Sequence, residues 1–395
     1  MAGELFVSAL PGEIRAALLS DETVEELLVL RDGAAPQAGD LFLARVQRFD
    51  KGLDGAFVEL GLARPGLLPR RELPRDMQDK LPAEGTALAV RVLRAPGADK
   101  GARVSARGLP VDAARLQGLK APARLPVGGG PLAALLRQRE PQRVVCDDAA
   151  LLRRLKDSAD NAAIAFDLHS APVPLFEAAG LEAEIDALLA PRVDLPQGGF
   201  LLIEPGQTLT AIDVNAGRHD GRGGAAAQAR EVNLAALPEI ARHLRLRALA
   251  GLIVVDFLEM KQSEDRKAVA AALRRAVAGD PEPCQVFGVS PSGLLEMTRR
   301  RGRAPLHELL CRPCGLHGSG REKSPETLAY EALRQTAAGA LGKVVTGITL
   351  RVAPAVEAAL KGEQAAALAA VERRLGRSVG IVSDPLVQAY ELVLG

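Results

Sequence analysis

Short apolar runs alternate with turns in residues 39–107, and within each run apolar and polar positions tend to alternate. The runs are LFLARVQRF, GAFVELG, ALAVRVLRA and ARVSAR. An alternation with a period of two is typical of β-strands that bury one face. Short strands separated by turns indicate a small barrel, so we predict a barrel of about five strands in this part of the chain.

A second pattern, in residues 199–290, alternates strands with helices. Apolar runs predict strands at FLLIEP, LTAIDVN, GLIVVDF and CQVFGVS. The spacing of apolar residues predicts helices at 225–249 and 264–279. We expect Pro238 to bend or interrupt the first helix, because proline removes a backbone hydrogen bond. This order of elements predicts an α/β layer around a largely buried sheet.

The last part of the chain opens with a helix signal. Ser324 followed by Pro325 is typical of an N-cap residue and the first helical position. We predict that this helix begins a small α+β domain that runs to Gly395.

Composition narrows the class of protein. The 395 residues are 48% hydrophobic and 25% charged, enough apolar material for about two or three globular domains. Lys and Arg number 50 and Asp and Glu 49, so a surface for a polyanion has to come from local clusters of arginine. No apolar run approaches the roughly 18 residues of a membrane span, and MAGELFVSAL lacks the pattern of a secretory signal. We therefore expect a cytoplasmic protein.

Two acidic residues occur at the ends of predicted strands. In TAIDVN, Asp213 and Asn215 lie on one face of the strand, whereas Ile212 and Val214 lie on the other. Asp256 follows four apolar residues at the carboxyl end of the next strand, where α/β sheets bind ligands. Two carboxylates on adjacent strand ends suit magnesium and a phosphate substrate. The alternative is that each Asp caps the turn that follows it.

Cys311 and Cys314 have the two-residue spacing of zinc ligands, but a closed structural zinc site needs four ligands. His307 and His317 could complete the site locally, or two chains could each contribute a pair of cysteines. A redox C-x-x-C motif is the alternative, although such motifs begin a helix after a strand, and this segment is a Gly-rich loop.

Several long motifs resemble the ribonuclease E/G family. They are LTAIDVNAGR, NLAALPEIARHLRLRALAGLIVVDFLEM and GLLEMTRRR, with further likeness at FVELGLARPGLLP, PLFEAAGLEAEIDALL and APAVEAALKGE. The resemblance covers nearly the whole chain. It implies that Asp213 and Asp256 are catalytic residues that bind Mg2+, and that Asn215 orients water, metal or phosphate. It implies a multidomain α/β and α+β fold, with an OB-fold barrel inserted in a ribonuclease-H-like element and a deoxyribonuclease-like catalytic core.

The resemblance also implies partners. Cys311 and Cys314 would bind a structural Zn2+ shared between two chains, which gives a homodimer; here Arg312 follows the first cysteine where the family usually has proline. Phe57 and Lys100 match positions that bind RNA in the OB-fold domain, while Leu67 replaces a second aromatic residue often found there. Phe57 could stack on a base, and the alternative is that it belongs to the barrel core.

Arginines recur near the predicted catalytic strands. We predict RNA-phosphate contacts from Arg242, Arg245, Arg299 and Arg300 because the carboxylates nearby would otherwise repel a polyanion. The alternative is a solvated charged face.

The predicted organisation places N-terminal and later parts of the ribonuclease-H-like element at 1–37 and 137–196, the OB-fold domain at 38–108, a linker or reduced 5′-sensor region at 109–136, the catalytic core at 197–305, the zinc-link at 306–321 and the small domain at 322–395. The expected function is magnesium-dependent cleavage of single-stranded RNA in ribosomal-RNA processing or messenger decay. The alternative is a non-catalytic RNA-binding regulator that retains the fold.

Overall fold

The computed structural model describes residues 3–31, 36, 40–79, 81–94, 96, 101–109, 119–125, 131–159, 161, 163–196, 198–206, 208–217, 225–290, 292–314, 320–340, 345 and 347–395. The chain forms two compact units. One combines Met1–Glu182 with His307–Gly395, and the other is Ala183–Leu306. No helix in the described part of the chain is both long and apolar enough to cross a membrane.

The first unit contains a five-stranded sheet. Its strands are β1 (Glu4–Leu10), β2 (Glu13–Ser20), β3 (Thr23–Arg31), β10 (Arg143–Cys146) and β11 (Ala165–Leu168), in the order β11-β10-β1-β2-β3. The strands β1, β2 and β3 are antiparallel, whereas β10 is parallel to β1 and β11 is parallel to β10. Its core includes apolar side chains from helices α2 (Pro131–Arg139) and α3 (Ala149–Asp157).

The predicted barrel is confirmed as a closed, OB-like barrel of five strands. They are β4 (Leu41–Asp50), β5 (Gly55–Glu59), β6 (Gly66–Pro69), β7 (Ala87–Arg94) and β8 (Arg103–Ser105), with β9 (Ala123–Arg124) paired to β4 and a short helix α1 (Arg75–Asp79). The order β5-β6-β8-β7-β4 closes through β4 and β5. Inward side chains such as Val58 and Val90 are fully buried, so the apolar alternation does pack the interior.

The C-terminal part of the first unit is α+β. Its elements are the hairpin strands β18 (Cys311–Pro313) and β19 (Arg321–Lys323), helices α9 (Pro325–Ala340), α10 (Pro354–Lys361) and α11 (Ala365–Leu375), and a sheet of β20 (Ile348–Val352), β21 (Gly380–Ser383) and β22 (Tyr390–Leu394). Ser324 Oγ accepts a hydrogen bond from Thr327 N at 3.2 Å. The predicted N-cap and the start of this helix at Pro325 are therefore confirmed.

A buried charge network connects helix α9 to strand β2. Glu13 accepts hydrogen bonds from Arg334 at 2.8 Å and from Arg31 at 2.5 Å, and Arg15 lies 4.0 Å from the same carboxylate. Burial raises the pKa of Glu13, but Arg334, Arg31 and Arg15 outweigh it, so its pKa lies below its ordinary value. Glu13 is therefore held as a carboxylate between three guanidinium groups.

The second unit is built on a six-stranded sheet. Its strands are β12 (Arg192–Asp194), β13 (Phe200–Pro205), β14 (Leu209–Asn215), β15 (Gly251–Asp256), β16 (Cys284–Val289) and β17 (Leu294–Arg299), in the order β12-β13-β14-β15-β17-β16. Its two long helices are α6 (Ala225–Leu246) and α7 (Ser263–Ala276), and most of the short helix α5 (Leu181–Leu189) also belongs to it. The short helices α4 (Leu175–Ala178) and α8 (Leu306–Leu310) lie at the boundaries, almost entirely within the first unit. The pair β14 and β15 is parallel and joined by α6, and the other four pairs of this sheet are antiparallel.

Two details of this unit differ from the sequence expectations. Pro238 does not interrupt helix α6, which continues through it as one helix because its apolar face, including Leu237 and Ile240, is buried against the sheet. The sheet is covered on one face rather than on both. Alternate residues along β14 and β15 are buried and exposed, so half of their side chains point to an open face.

Candidate active site

The two aspartates predicted at strand ends lie side by side. Strands β14 and β15 are parallel, and their register pairs Asp213 with Asp256. Paired residues on neighbouring strands are about 4.8 Å apart between backbones and project to the same face. Both side chains are exposed. The fold therefore brings together two carboxylates from separate strands, in contact with solvent.

Asn215 contributes to the same cluster. Its Nδ2 donates a hydrogen bond to Asp213 Oδ2 at 2.8 Å. With the amide held in this way, the Oδ1 atom of Asn215 and the second oxygen of Asp213 point elsewhere and can contact a ligand. The face that carries these residues is the one expected from the alternation of TAIDVN, since Ile212 and Val214 are buried on the opposite face.

The open face of the sheet explains why the site is accessible. Helices α6 and α7 pack against one face, where Ile253 and Val255 join the core. Asp213 and Asp256 point away from that core. Among the described residues no backbone amide donates a hydrogen bond to either carboxylate, so the turn-capping alternative gains no support.

Asn233 holds the backbone that follows Asp256, a role that the sequence reasoning missed. It is fully buried, its Oδ1 accepts a hydrogen bond from Leu258 N at 3.0 Å, and its Nδ2 donates one to Leu258 O at 2.9 Å. A buried amide needs partners for both of its polar atoms, and here the backbone N–H and C=O of one residue supply both. The signal available in the sequence was a polar residue next to the buried positions of an amphipathic helix.

The predicted arginine contacts lie at the other end of the sheet. Arg299 pairs in register with Gly251, the first residue of β15, whereas Asp256 is its last residue. Five residues of strand separate these positions by about 16 Å. Arg242 and Arg245 belong to the last turns of α6, which ends just before β15 begins and covers the opposite face from the carboxylates. These arginines therefore do not lie beside the carboxylates, and their contacts with RNA phosphates stay a prediction.

Three of these arginines form ion pairs with acidic side chains of the protein. Arg299 is 4% exposed and donates to both oxygens of Asp280, at 2.8 and 3.0 Å, and to Leu249 O. It is a structural side chain in the interior. Arg300 is exposed and pairs with Glu282 at 2.8 Å, and Arg242 pairs with Glu184.

Phe57 lies on the outer surface of the barrel and is half-buried, while Ala56 and Val58 belong to the core. The Arg48 guanidinium lies over its ring, 4.8 Å from the centroid. Cross-strand pairing continues the row from Phe57 to Leu67 and then to Arg103. The row therefore presents an aromatic ring between cationic side chains. Lys100, the other predicted RNA contact, falls outside the described residues.

The cysteine pair lies on the hairpin of β18 and β19 rather than in a loop alone. Cys311 begins β18, and Cys314 follows the strand, with its N donating to Gly320 O at 2.9 Å. Both are half-buried, and neither forms a disulfide with another described cysteine. Within the described residues no three His, Cys, Asp or Glu side chains are grouped as metal ligands, so His307 does not complete a local site there. His317 falls outside the described residues.

Comparison with known proteins adds independent information. The model of the ribonuclease E/G family matches residues 130–302. The chain is 26% identical to ribonuclease G of Salmonella typhimurium and 28% identical to ribonuclease G of Escherichia coli, with 98% of each chain covered in both cases. It is 38% identical to a chloroplastic ribonuclease E/G-like protein of Arabidopsis thaliana over 46% of this chain and 19% of that protein. The family match in the centre and the similarity along nearly the full length together support the assignment of this chain to the ribonuclease E/G family.

Proposed function

We propose that this chain is a magnesium-dependent endoribonuclease that hydrolyses phosphodiester bonds in single-stranded RNA, in ribosomal-RNA processing or messenger decay. The observation that carries the proposal is the register of Asp213 and Asp256 on an open sheet face, with Asn215 bonded to Asp213. Relatives named ribonuclease G along 98% of the chain support an endoribonuclease, which is a hydrolase.

The donor set fits magnesium. This ion takes one or two protein carboxylates, keeps several waters and accepts phosphate oxygens from a substrate. Asp213 and Asp256 would hold it, and their exposure leaves room for water and RNA. When bound, magnesium supplies a water of lowered pKa and neutralises charge at the scissile phosphate. Asn215 would keep its Oδ1 available to accept a hydrogen bond from a water, because its Nδ2 is engaged by Asp213.

The barrel would hold the RNA strand. Phe57 supplies a ring for base stacking, and Arg48 and Arg103 in the same cross-strand row supply positive charge for phosphates. Stacking of a base on an aromatic side chain is worth about 1–3 kcal/mol and tolerates any base. This arrangement favours an unpaired strand, because bases in a duplex are already stacked on one another.

A cleavage assay tests the function directly. The wild-type chain is incubated with an end-labelled, unstructured oligoribonucleotide and with DNA of the same sequence, in magnesium and in excess chelator. We expect internal cleavage of the RNA in magnesium alone, because the carboxylates need the cation to hold a phosphate. Substrates with a 5′-phosphate and a 5′-hydroxyl, run side by side, report whether the 5′ end affects the rate.

The outcome also decides between the two functions. Cleavage that is equal with and without magnesium contradicts the metal-dependent proposal. Tight RNA binding with no cleavage in either condition supports instead a non-catalytic RNA-binding regulator that retains the fold.

We also propose that Cys311 and Cys314 supply half of a zinc site shared by two chains, which makes the protein a homodimer. Two cysteines at the two ends of one hairpin strand fit one half of a four-ligand site, and the described residues group no further ligand beside them. A second copy of the same hairpin would supply the other half by two-fold symmetry.

The zinc proposal predicts a fixed stoichiometry. Native mass measurement with metal analysis should find a dimer with about half a zinc per chain, which follows from four thiolates per ion. Replacing Cys314 with serine should give a zinc-free monomer, whereas the same change at the buried Cys146 should leave zinc and dimer unchanged. One zinc per monomer would contradict the shared site.

The finer likenesses of fold form part of the proposal. In the five-stranded sheet, three antiparallel strands followed by two parallel ones support the ribonuclease-H-like element. The six-stranded sheet with helices on one face supports the deoxyribonuclease-like core.

A further inference from the structure

An arginine stacks on an aromatic ring beside the candidate active site. Phe200 begins β13 and pairs in register with Asn215, while Asp194 of β12 pairs with Phe200 from the other side. The Arg192 guanidinium lies 3.8 Å from the centroid of the Phe200 ring. This is a contact distance, so the guanidinium covers the ring.

Asp194 holds the arginine in this position. Arg192 Nε donates to Asp194 Oδ1 at 2.9 Å, and its Nη2 lies 2.8 Å from the same oxygen. The Arg192 side chain nevertheless remains 55% exposed. One face of the guanidinium therefore contacts the ring, while much of the group stays accessible to a ligand.

The charge of the open face makes this arginine distinctive. Four exposed carboxylates other than Asp194 project from the open face, which are those of Glu204, Asp213, Asp256 and Glu296. Over β12–β17, whose strand residues are all described, Arg192 is the one cationic side chain on this face. Arg299 is buried on the opposite face. Among the strand residues of this face, Arg192 is therefore the one that can attract a polyanion that reaches the carboxylates.

The position of the stack matches a substrate subsite. Arg192 lies in the same cross-strand row as Leu202 and Asp213, two strands away from that carboxylate. Two strand spacings are about 10 Å. If a phosphate is held at Asp213, the neighbouring nucleotide is within reach of the Arg192–Phe200 stack. A nucleotide whose phosphate is held near Arg299, at the other end of the sheet, is not.

We infer that Arg192 and Phe200 form a nucleotide-binding subsite of the catalytic face, in which the base next to the cleaved bond stacks on the guanidinium that Phe200 supports. Guanidinium planes and aromatic rings both stack on unpaired bases, and the cation also attracts the adjacent phosphate. The inference rests on the proposed function, since it names a substrate contact of that site. It predicts that these two residues determine affinity for RNA and leave the chemical step unchanged.

The test compares matched variants of the full chain. The control for Arg192→Ala is Arg143→Ala. Arg143 is also an exposed strand arginine with acidic partners, Glu4 and Asp167, but it belongs to the first unit. Phe200→Leu is paired with Phe287→Leu, an exposed ring on the edge strand of the same sheet. We expect Arg192→Ala and Phe200→Leu to raise KM about tenfold, with kcat changed less than about twofold, and both controls to match wild type.

A binding arm separates this inference from the proposed function. Fluorescence anisotropy with a labelled oligoribonucleotide, measured in the Asp213→Asn background, should show the same loss of about tenfold in affinity. This binding measurement does not depend on cleavage. If the wild type cleaves no RNA, the proposed function fails, while the binding result still tests the inference about Arg192 and Phe200.

An abasic site identifies the stacked base. Removing the base next to the cleavage position should lower the RNA affinity of the chain that retains Arg192. The same abasic RNA should bind the Arg192→Ala variant no more weakly than intact RNA does. The inference is overturned if the Arg192 and Phe200 variants bind RNA as tightly as the parent, or if Arg143→Ala loses as much affinity as Arg192→Ala.

Discussion

Replacing Asp256 with asparagine is expected to lower kcat for RNA cleavage by about a hundredfold to a thousandfold, or roughly 3–4 kcal/mol of transition-state stabilisation. Asparagine keeps the shape of the side chain but removes one of the two charges that would hold the metal ion. Asp213→Asn should have a similar effect. Because the two carboxylates act as a unit, the double variant should lose little more than either single variant.

The control for this prediction lies on the same sheet face. Glu204 is an exposed carboxylate that pairs with Ala211, two residues before Asp213 along β14. Glu204→Gln should cleave RNA at the wild-type rate, while thermal unfolding confirms that all variants are folded. Asp256→Asn with a kcat within about twofold of wild type would contradict the assignment of the site, because losing a metal ligand should cost far more.

Replacing Glu13 with glutamine is expected to lower the free energy of unfolding by about 3–5 kcal/mol, measured by chemical denaturation at pH 7. The Glu13 carboxylate is 2% exposed, and its partner Arg334 is also buried, while its partner Arg31 is 12% exposed. Glutamine fits the space but leaves these guanidinium groups without a compensating charge. A matched control is Glu357→Gln, which removes a surface carboxylate that pairs with the exposed Lys361 in helix α10. That change should leave the free energy of unfolding nearly unchanged, because surface ion pairs contribute little.

The pH dependence of this loss has a definite sign. The pKa of Glu13 in the folded chain lies below its ordinary value of 4.5, so the carboxylate contributes its full stability above that value. This contribution is lost as the pH falls through the depressed pKa of the folded state. The difference between wild type and Glu13→Gln should therefore be constant from pH 7 to about 5 and shrink below about pH 4.5. A difference that grows on acidification would contradict the role of the network.

The catalytic strands were predictable because their patterns are local. The strands at FLLIEP and LTAIDVN have the predicted bounds, and the alternation of Ile212 and Val214 with Asp213 gives the correct faces. The order of elements also indicates a parallel pair joined by a helix, which brings the ends of β14 and β15 to one edge. The proximity of Asp213 and Asp256 follows from that topology, while their roles remain proposals.

The position of the four predicted arginines relative to the carboxylates was mispredicted, because nearness in sequence does not give the direction in which a strand or helix runs. Helix α6 returns along the sheet, so Arg242 and Arg245 arrive where β15 begins. Strand β17, which was not predicted, runs antiparallel to β15 and carries Arg299 to that same end. The stack of Arg192 on Phe200 depends on the pairing of β12 with β13, which no local pattern specifies.

Because Asp213 and Asp256 pair side by side, the site is sensitive to any change in the number of residues in strands β14 and β15. Inserting or deleting a single residue within β14 or β15 would turn one carboxylate through the sheet, beneath helices α6 and α7, and bring an aliphatic side chain out to solvent. A change of two residues would preserve the outward direction but displace the two acids along the strands by about 7 Å. Insertions and deletions in the connecting segments of this unit are therefore compatible with the carboxylate pair. Insertions and deletions inside β14 or β15 are not.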